Sequence, residues 1–147
     1  MFSRVAFIDF DGCVNTPTLF RAQAIKGIAK ASDLFIFDPQ LVENITKVFI
    51  AYPDLVGVIS SSWRNFLELE KIKEMFPSFK IIDKTGKGNS RGLEIRTWLN
   101  NNPTTKFVII DDSVFDMYEQ HRPFIVHVDE QVGFTAEDSD KAIDILR

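Results

Sequence analysis

Five short apolar runs separated by helical patterns constrain this chain more than anything else in it. Residues 5–10, VAFIDF, are apolar apart from Asp9. Such a run reads as a strand buried on both faces, as in a parallel sheet. Residues 55–59 form a second run, closed by Ser60-Ser61-Ser62, and residues 79–82 a shorter third. Residues 107–110 form a fourth, closed by Asp111-Asp112, and residues 124–128 a fifth. Between them Leu41, Val42, Ile45, Val48 and Phe49 recur at helical spacing behind Asp38-Pro39, an N-cap followed by a first-turn proline. Phe66, Leu69, Ile72 and Phe76 mark another helix, and Leu93, Ile95, Trp98 and Leu99 a third. Thr135 caps the last, with Asp138 at its third position and Ala142, Ile143 and Leu146 as its buried stripe.

Strands alternating with helices predict an α/β, Rossmann-like three-layer sandwich around a central parallel sheet of about five strands. In such sheets ligands bind beyond the carboxyl ends of the strands, where the strand order reverses. Polar residues close three of the runs: Asp9 and Asp11 the first, the serines the second, Asp111 and Asp112 the fourth. All three are expected at one edge.

Asp9 and Asp11, two apart at a strand end, are expected on the same side of the backbone, with Gly12 turning the chain sharply away. An Asp-Gly turn alone would look the same. Four carboxylates at adjacent strand ends repel unless protons or a cation compensate them. Oxygen donors of this kind suit a hard ion such as Mg²⁺. Asp111-Asp112-Ser113 also reads as the cap of a following helix, with Asp116 on its first turn behind the ligands. Ser60, Ser61 and the N–H groups after them, opening into a helix, form a natural phosphate seat. Arg64 offers a charged fork there, although a serine cap with a surface arginine would read identically. The loop 84–91, KTGKGNSR, is basic without being a P-loop. Lys84, Lys87 and Arg91 are rival candidates for a phosphate-binding cation. His121, His127 and Cys13 read as structural.

Bulk properties add exclusions. A chain of 147 residues suits one domain, and no linker divides it. With 45% hydrophobic residues and 14 phenylalanines, it can fill a large core. The net charge of −4 gives no broad basic surface for long nucleic acid. The single cysteine permits no internal disulfide. The absence of a signal-peptide pattern and of any membrane-length apolar run points to the cytoplasm.

Together, Asp9-Phe10-Asp11-Gly12, Ser60 in VISSSWR, a cation before the fourth strand and the acidic pair in FVIIDD resemble the haloacid dehalogenase-like (HAD) superfamily of phosphohydrolases. FDPQLVENI, RGLEIRTWL and GFTAEDSDKAIDIL extend the likeness to the HAD domain of Swiss Army Knife RNA repair proteins. Cys13 stands where many members carry Thr or Val, a position without a catalytic role.

The resemblance implies a Mg²⁺-dependent phosphatase acting on a phosphate ester. Asp9 would be the nucleophile and Asp11 the general acid and base. The ion would lie among Asp9, the main-chain oxygen of Asp11, Asp112 and Asp111. Ser60, the Ser61 N–H and Arg91 would hold phosphate oxygens, with Lys87 and Lys84 as rivals to Arg91 and Arg64 further out. Residues 15–37 would form a small squiggle-and-flap insert in place of a large cap, presenting Arg21, Lys26 and Lys30 to substrate. The substrates it implies are nucleic-acid ends or nucleotides; small metabolites, or a non-catalytic phosphate-binding or regulatory role, are the alternatives. A receiver-like module fits less well, because its phosphate-accepting aspartate ends the third strand and its acidic pair the first.

Overall fold

The computed structural model describes residues 1–28 and 31–147. Five strands, β1 (Phe2–Ile8), β2 (Leu55–Ile59), β3 (Ile81–Lys84), β4 (Thr104–Asp111) and β5 (Ile125–His127), form one sheet in the order β3-β2-β1-β4-β5. All four pairings are parallel. Ile8 stands opposite Ile59 of β2 and Ile110 of β4. The ends of the three central strands therefore lie level. The strand order reverses between β1 and β4, so the switch point falls beside Asp9 and Asp111.

The helices are α1 (Pro17–Lys26), α2 (Pro39–Ala51), α3 (Leu69–Met75), α4 (Arg91–Asn101) and α5 (Ala136–Leu146). Alternate residues of each central strand serve opposite layers. Ala6, Ile8, Val108 and Ile110 join one core with Ile45 and Val48 of α2, Ile72 of α3 and Ala142 and Leu146 of α5. Val5, Phe7 and Ile109 join the other with Ile95, Trp98 and Leu99 of α4. This is the expected helix–sheet–helix sandwich. Val5, Ala6, Phe7 and Ile8 are completely buried, which is why the run is apolar on both faces.

The first core is largely aromatic. The Phe76 ring lies 4.7 Å from Phe10, 5.0 Å from Phe37 and 5.2 Å from Phe79, centre to centre. Phe10 also lies 4.8 Å from Trp63. Buried aromatics at these separations contribute beyond their area, and they brace the loop carrying Asp9 and Asp11 from below.

Caps place several termini where expected. Asp38 accepts the Gln40 N–H at the start of α2, and Thr135 and Asp138 form a reciprocal capping box on α5. Three expectations need correction. The third strand is 81–84 rather than 79–82, because Pro77–Phe79 closes into a 3₁₀ turn with Phe79 buried. The helix expected from Phe66 begins at Leu69; before it, residues Ser62–Asn65 form a separate 3₁₀ turn, and Phe66 is exposed. No helix follows Asp111-Asp112 directly. Residues 113–118 form a loop, and a 3₁₀ segment, Glu119–Phe124, leads into β5. Asp111 Oδ1 accepts the Ser113 N–H at 2.9 Å, a local turn that competes with helix initiation.

Candidate active site

β1 ends at Ile8, and the Asp9 N–H donates to the Ile110 carbonyl, 3.0 Å away. This bond carries the junction one residue past the strand and aims Asp9 at the end of β4. Asp9, Asp111 and Asp112 each present an oxygen, and these three atoms lie within 4.8 Å of one another. Asp9 and Asp111 are buried.

Gly12 explains how close the two segments come. Its φ is +82°, and a Cβ there would stand 2.4 Å from Asp112 Oδ2. The position demands glycine for backbone conformation and for space alike.

Among the described residues one cation reaches these carboxylates. Arg91, the first residue of α4, places Nη1 2.8 Å from Asp111 Oδ2 and 3.5 Å from Asp9 Oδ1. Its own N–H donates to Asp116 Oδ2 at 2.8 Å, and the Gly92 N–H reaches the Asp116 carbonyl. A Cβ on Gly92 would meet the Tyr118 nitrogen at 2.7 Å. The 113–118 loop thus docks tightly on the start of α4. Asp116, expected on a helix behind the metal ligands, instead sits in a turn and anchors the end of α4 that bears Arg91.

Burial comes first among the causes that push the Asp9 carboxyl well above the usual carboxylate range, followed by the Asp111 charge; Arg91 opposes them. Asp111 is pushed up to about 6, mainly by burial, again against Arg91 and against the Ser113 N–H bond. The guanidinium pays its own desolvation, which works against its charge, yet Asp111 and Asp9 raise its pKa overall. Protons held against repulsion are readily displaced by a divalent cation, and three clustered carboxylate oxygens are the hard donors such an ion takes. The donor set fits Mg²⁺ in that sense.

Asp11 behaves differently from the expected pair. Its Oδ1 accepts from Asn15 Nδ2 and from the Trp63 indole N–H, both at 3.0 Å. Its carboxylate is not part of the oxygen cluster, because the chain leaves the strand before it and turns through Gly12. Only the main-chain oxygen of Asp11 remains available as a ligand in the arrangement that the resemblance implies. Asn15 also accepts the Gly12 N–H and donates to the Ile36 carbonyl, tying the turn to the segment before α2. Asn15 and Trp63 escaped the sequence reading. The Asp-x-Asp-Gly-x-x-Asn spacing hints at the first, whereas the Trp63 contact spans 52 residues.

Ser60 lies at the end of β2, fully buried, and its Oγ has no hydrogen-bond partner among the described residues. A buried hydroxyl is seldom left so. Ser61 caps the 3₁₀ turn by accepting the Trp63 N–H. The Arg64 side chain is covered against Glu94, with which it forms an ion pair, and donates to the Ser61 carbonyl at 2.8 Å. Its fork is thereby spent inside the protein, where it ties the serine loop to α4. Lys84 and Lys87 are exposed, and no ion pair joins either to the carboxylates among the described residues. Arg91 alone of the three rivals reaches Asp9 and Asp111. Lys30 falls outside the described residues. Cys13 is fully buried and its thiol is pushed up, by burial first and then by the nearby aspartates, which suits packing. His121 is buried between Phe107 and Tyr118. Exposed His127 meets the Asp112 carbonyl through Nε2 at 3.1 Å.

Clustered carboxylates and a guanidinium thus stand at the switch point of a parallel α/β sheet, where such sheets bind their ligands. The model of the HAD domain in Swiss Army Knife RNA repair proteins matches residues 5–139. The chain belongs to that family, and with it to the HAD-type phosphatases, whose members typically use a divalent metal. No curated protein and no solved structure matches it. Among the described residues no helix is long and apolar enough to cross a membrane.

Proposed function

We propose that the protein is a Mg²⁺-dependent phosphomonoesterase that acts through an aspartyl-phosphate on Asp9, with nucleic-acid ends or nucleotides as substrates. One observation carries this reading: Asp9, Asp111 and Asp112 present oxygens within 4.8 Å of one another, with the Arg91 guanidinium against Asp9 and Asp111. The substrate class rests on the RNA repair context of the family.

The residues would act as follows. Bound among Asp9, Asp111, Asp112 and the Asp11 main-chain oxygen, the ion would supply charge neutralisation and Lewis acidity. An Asp9 oxygen attacks phosphorus in line. The bond from phosphorus to the ester oxygen breaks, and the proton on Asp11 passes to the leaving alkoxide. Asp11 then removes a proton from water, whose oxygen attacks phosphorus. Inorganic phosphate leaves, and the Asp9 carboxylate is restored. Trp63 and Asn15 hold one Asp11 oxygen, leaving the other to exchange the proton. Ser60 Oγ and the Ser61 N–H accept the task of binding phosphoryl oxygens, which would end the isolation of the Ser60 hydroxyl. Arg91 turns from the carboxylates to the phosphate as the transition state gains charge.

Residues 15–37 are proposed as the small squiggle-and-flap insert of a single catalytic domain spanning 1–147, acting in the cytoplasm. α1 supports an open site, since none of its residues is buried.

Hydrolysis of p-nitrophenyl phosphate tests the chemistry. Activity should require Mg²⁺, disappear with EDTA and fall by roughly 10³-fold or more in Asp9→Asn. Full activity in that variant would end the proposal.

A further inference from the structure

Beside Asp11, Phe20, Leu34, Phe35, Trp63 and Phe66 line a cleft of about 300 Å³. We propose that this cleft is the leaving-group subsite and takes the planar aromatic base of a nucleotide, so that the enzyme selects base-bearing phosphate esters over base-free ones. The inference rests on the phosphatase reading above and adds to it the substrate group and the residues that recognise it.

Several features converge on this assignment. The rings form a graded wall. Trp63 is buried at the inner end, and Phe35 stands 5.2 Å from it, nearly perpendicular. Phe66 follows at 6.4 Å from Phe35 and is 73% exposed. Phe66, Leu34 and Phe20 are exposed large apolar side chains grouped at one concave place, as ligand sites are and scattered surface apolars are not. Trp63 is also the residue whose indole N–H holds Asp11. The cleft is therefore built onto the group that would protonate the leaving oxygen, and the leaving group must lie on that side.

The lining chemistry favours a base over other occupants. Among the described residues, the walls apart from Ser62 and Asp11 are aromatic or aliphatic. They suit stacking that tolerates any base and offer little to sugar hydroxyls. A second cleft of about 400 Å³ shares Asp11 and Phe20 with the first and contains Arg21, the one cation lining either among the described residues. A base on the aromatic side leaves Arg21 for the phosphodiester of an adjoining nucleotide. A phosphotyrosine peptide would place its ring on the ester oxygen itself, without an intervening sugar.

The test compares kcat/KM for nucleoside monophosphates, 3′- and 5′-phosphorylated oligonucleotides, ribose 5-phosphate and a phosphotyrosine peptide, all with Mg²⁺. The wild type should favour base-bearing esters over ribose 5-phosphate by about tenfold or more, and Phe66→Ala should lower that ratio about tenfold. Leu34→Ala provides a second exposed variant with the same expected direction. Equal rates with and without a base, a ratio unmoved by both variants, or a Phe66-dependent preference for the phosphotyrosine peptide would overturn the assignment. Higher rates on oligonucleotides, lost in Arg21→Ala, would identify nucleic-acid ends as the source of the base, and equal or higher rates on monophosphates would identify free nucleotides; both support it.

If no ester is hydrolysed in an Asp9-dependent way, the phosphatase reading has failed, and binding decides the subsite alone. In Asp9→Asn, adenosine 5′-monophosphate should change the fluorescence of Trp63, ribose 5-phosphate should not, and Phe66→Ala should weaken the response. No response to the nucleotide, or the same response to both, would remove the subsite. Trp98 packs on the opposite face of the sheet and supplies the constant background.

Discussion

At the scale of single residues, the chemistry depends on charges forced together and only partly compensated. Asp111 titrates near 6 against an ordinary 3.8, so in the metal-free protein it carries a proton that the unfolded chain would already have lost. Between about pH 4 and pH 6 the native state binds more protons, and its stability contribution from this group falls as pH rises. Asp9, shifted the same way, adds to the trend. Thermal melts without divalent ions should show that loss, and Mg²⁺ should raise Tm more at pH 7.5 than at pH 5, because it competes with those protons. Equal Mg²⁺ stabilisation at both pH values would contradict the cluster as a metal site. Arg91 is the main charge holding Asp111 down. Arg91→Ala should therefore move the Asp111 titration above about 6, read by carboxyl carbon NMR, and weaken phosphate inhibition.

At the scale of elements, two close approaches set the geometry. The first-strand turn meets Asp112 through Gly12, and α4 meets the 113–118 loop through Gly92. Gly12→Ala adds a methyl against a carboxylate and strains a backbone at positive φ. It should cut Mg²⁺-dependent activity by about 100-fold, as misplacement near a reacting centre does, while circular dichroism stays native. Gly92→Ala drives a methyl into the backbone at Tyr118 N and Asp116 O as well as into the Tyr118 ring. It should shift α4 and Arg91, raising KM for phosphate esters. Trp63→Phe keeps a ring in the stack but removes the donor to Asp11. A lower kcat is expected, with little change in the denaturation midpoint.

For the whole molecule, stability and site share one aromatic core. Phe76 is 1% exposed and touches the ring of Phe10, between Asp9 and Asp11. Phe76→Ala should lower unfolding free energy by about 3–5 kcal/mol, a large share of the total for a domain of this size. Denaturant titration measures it. Activity should decline at temperatures below global melting, because the cavity opens beneath the turn that carries Asp9 and Asp11. An unchanged midpoint would mean that this core does not bear on stability as its burial implies.

Much of this arrangement can be read directly from residue order. Short apolar runs bounded by polar residues read as strands covered on both faces, and the helical spacing between them leaves a parallel sandwich as the economical solution. Polar residues closing the first, second and fourth runs then have to gather at one edge, since parallel strands all end there. Other features have no local signature. That β1 lies between β2 and β4, that Arg91 rather than Lys84 or Lys87 reaches the aspartates, that Arg64 is turned inward to Glu94, and that Asp11 faces Trp63 while Asp9 faces Asp111 all follow from contacts between distant segments. Periodicity encodes which face of an element is buried. Which partner a side chain meets across the sheet edge depends on how layers register in three dimensions, and that is settled only when the chain closes on itself.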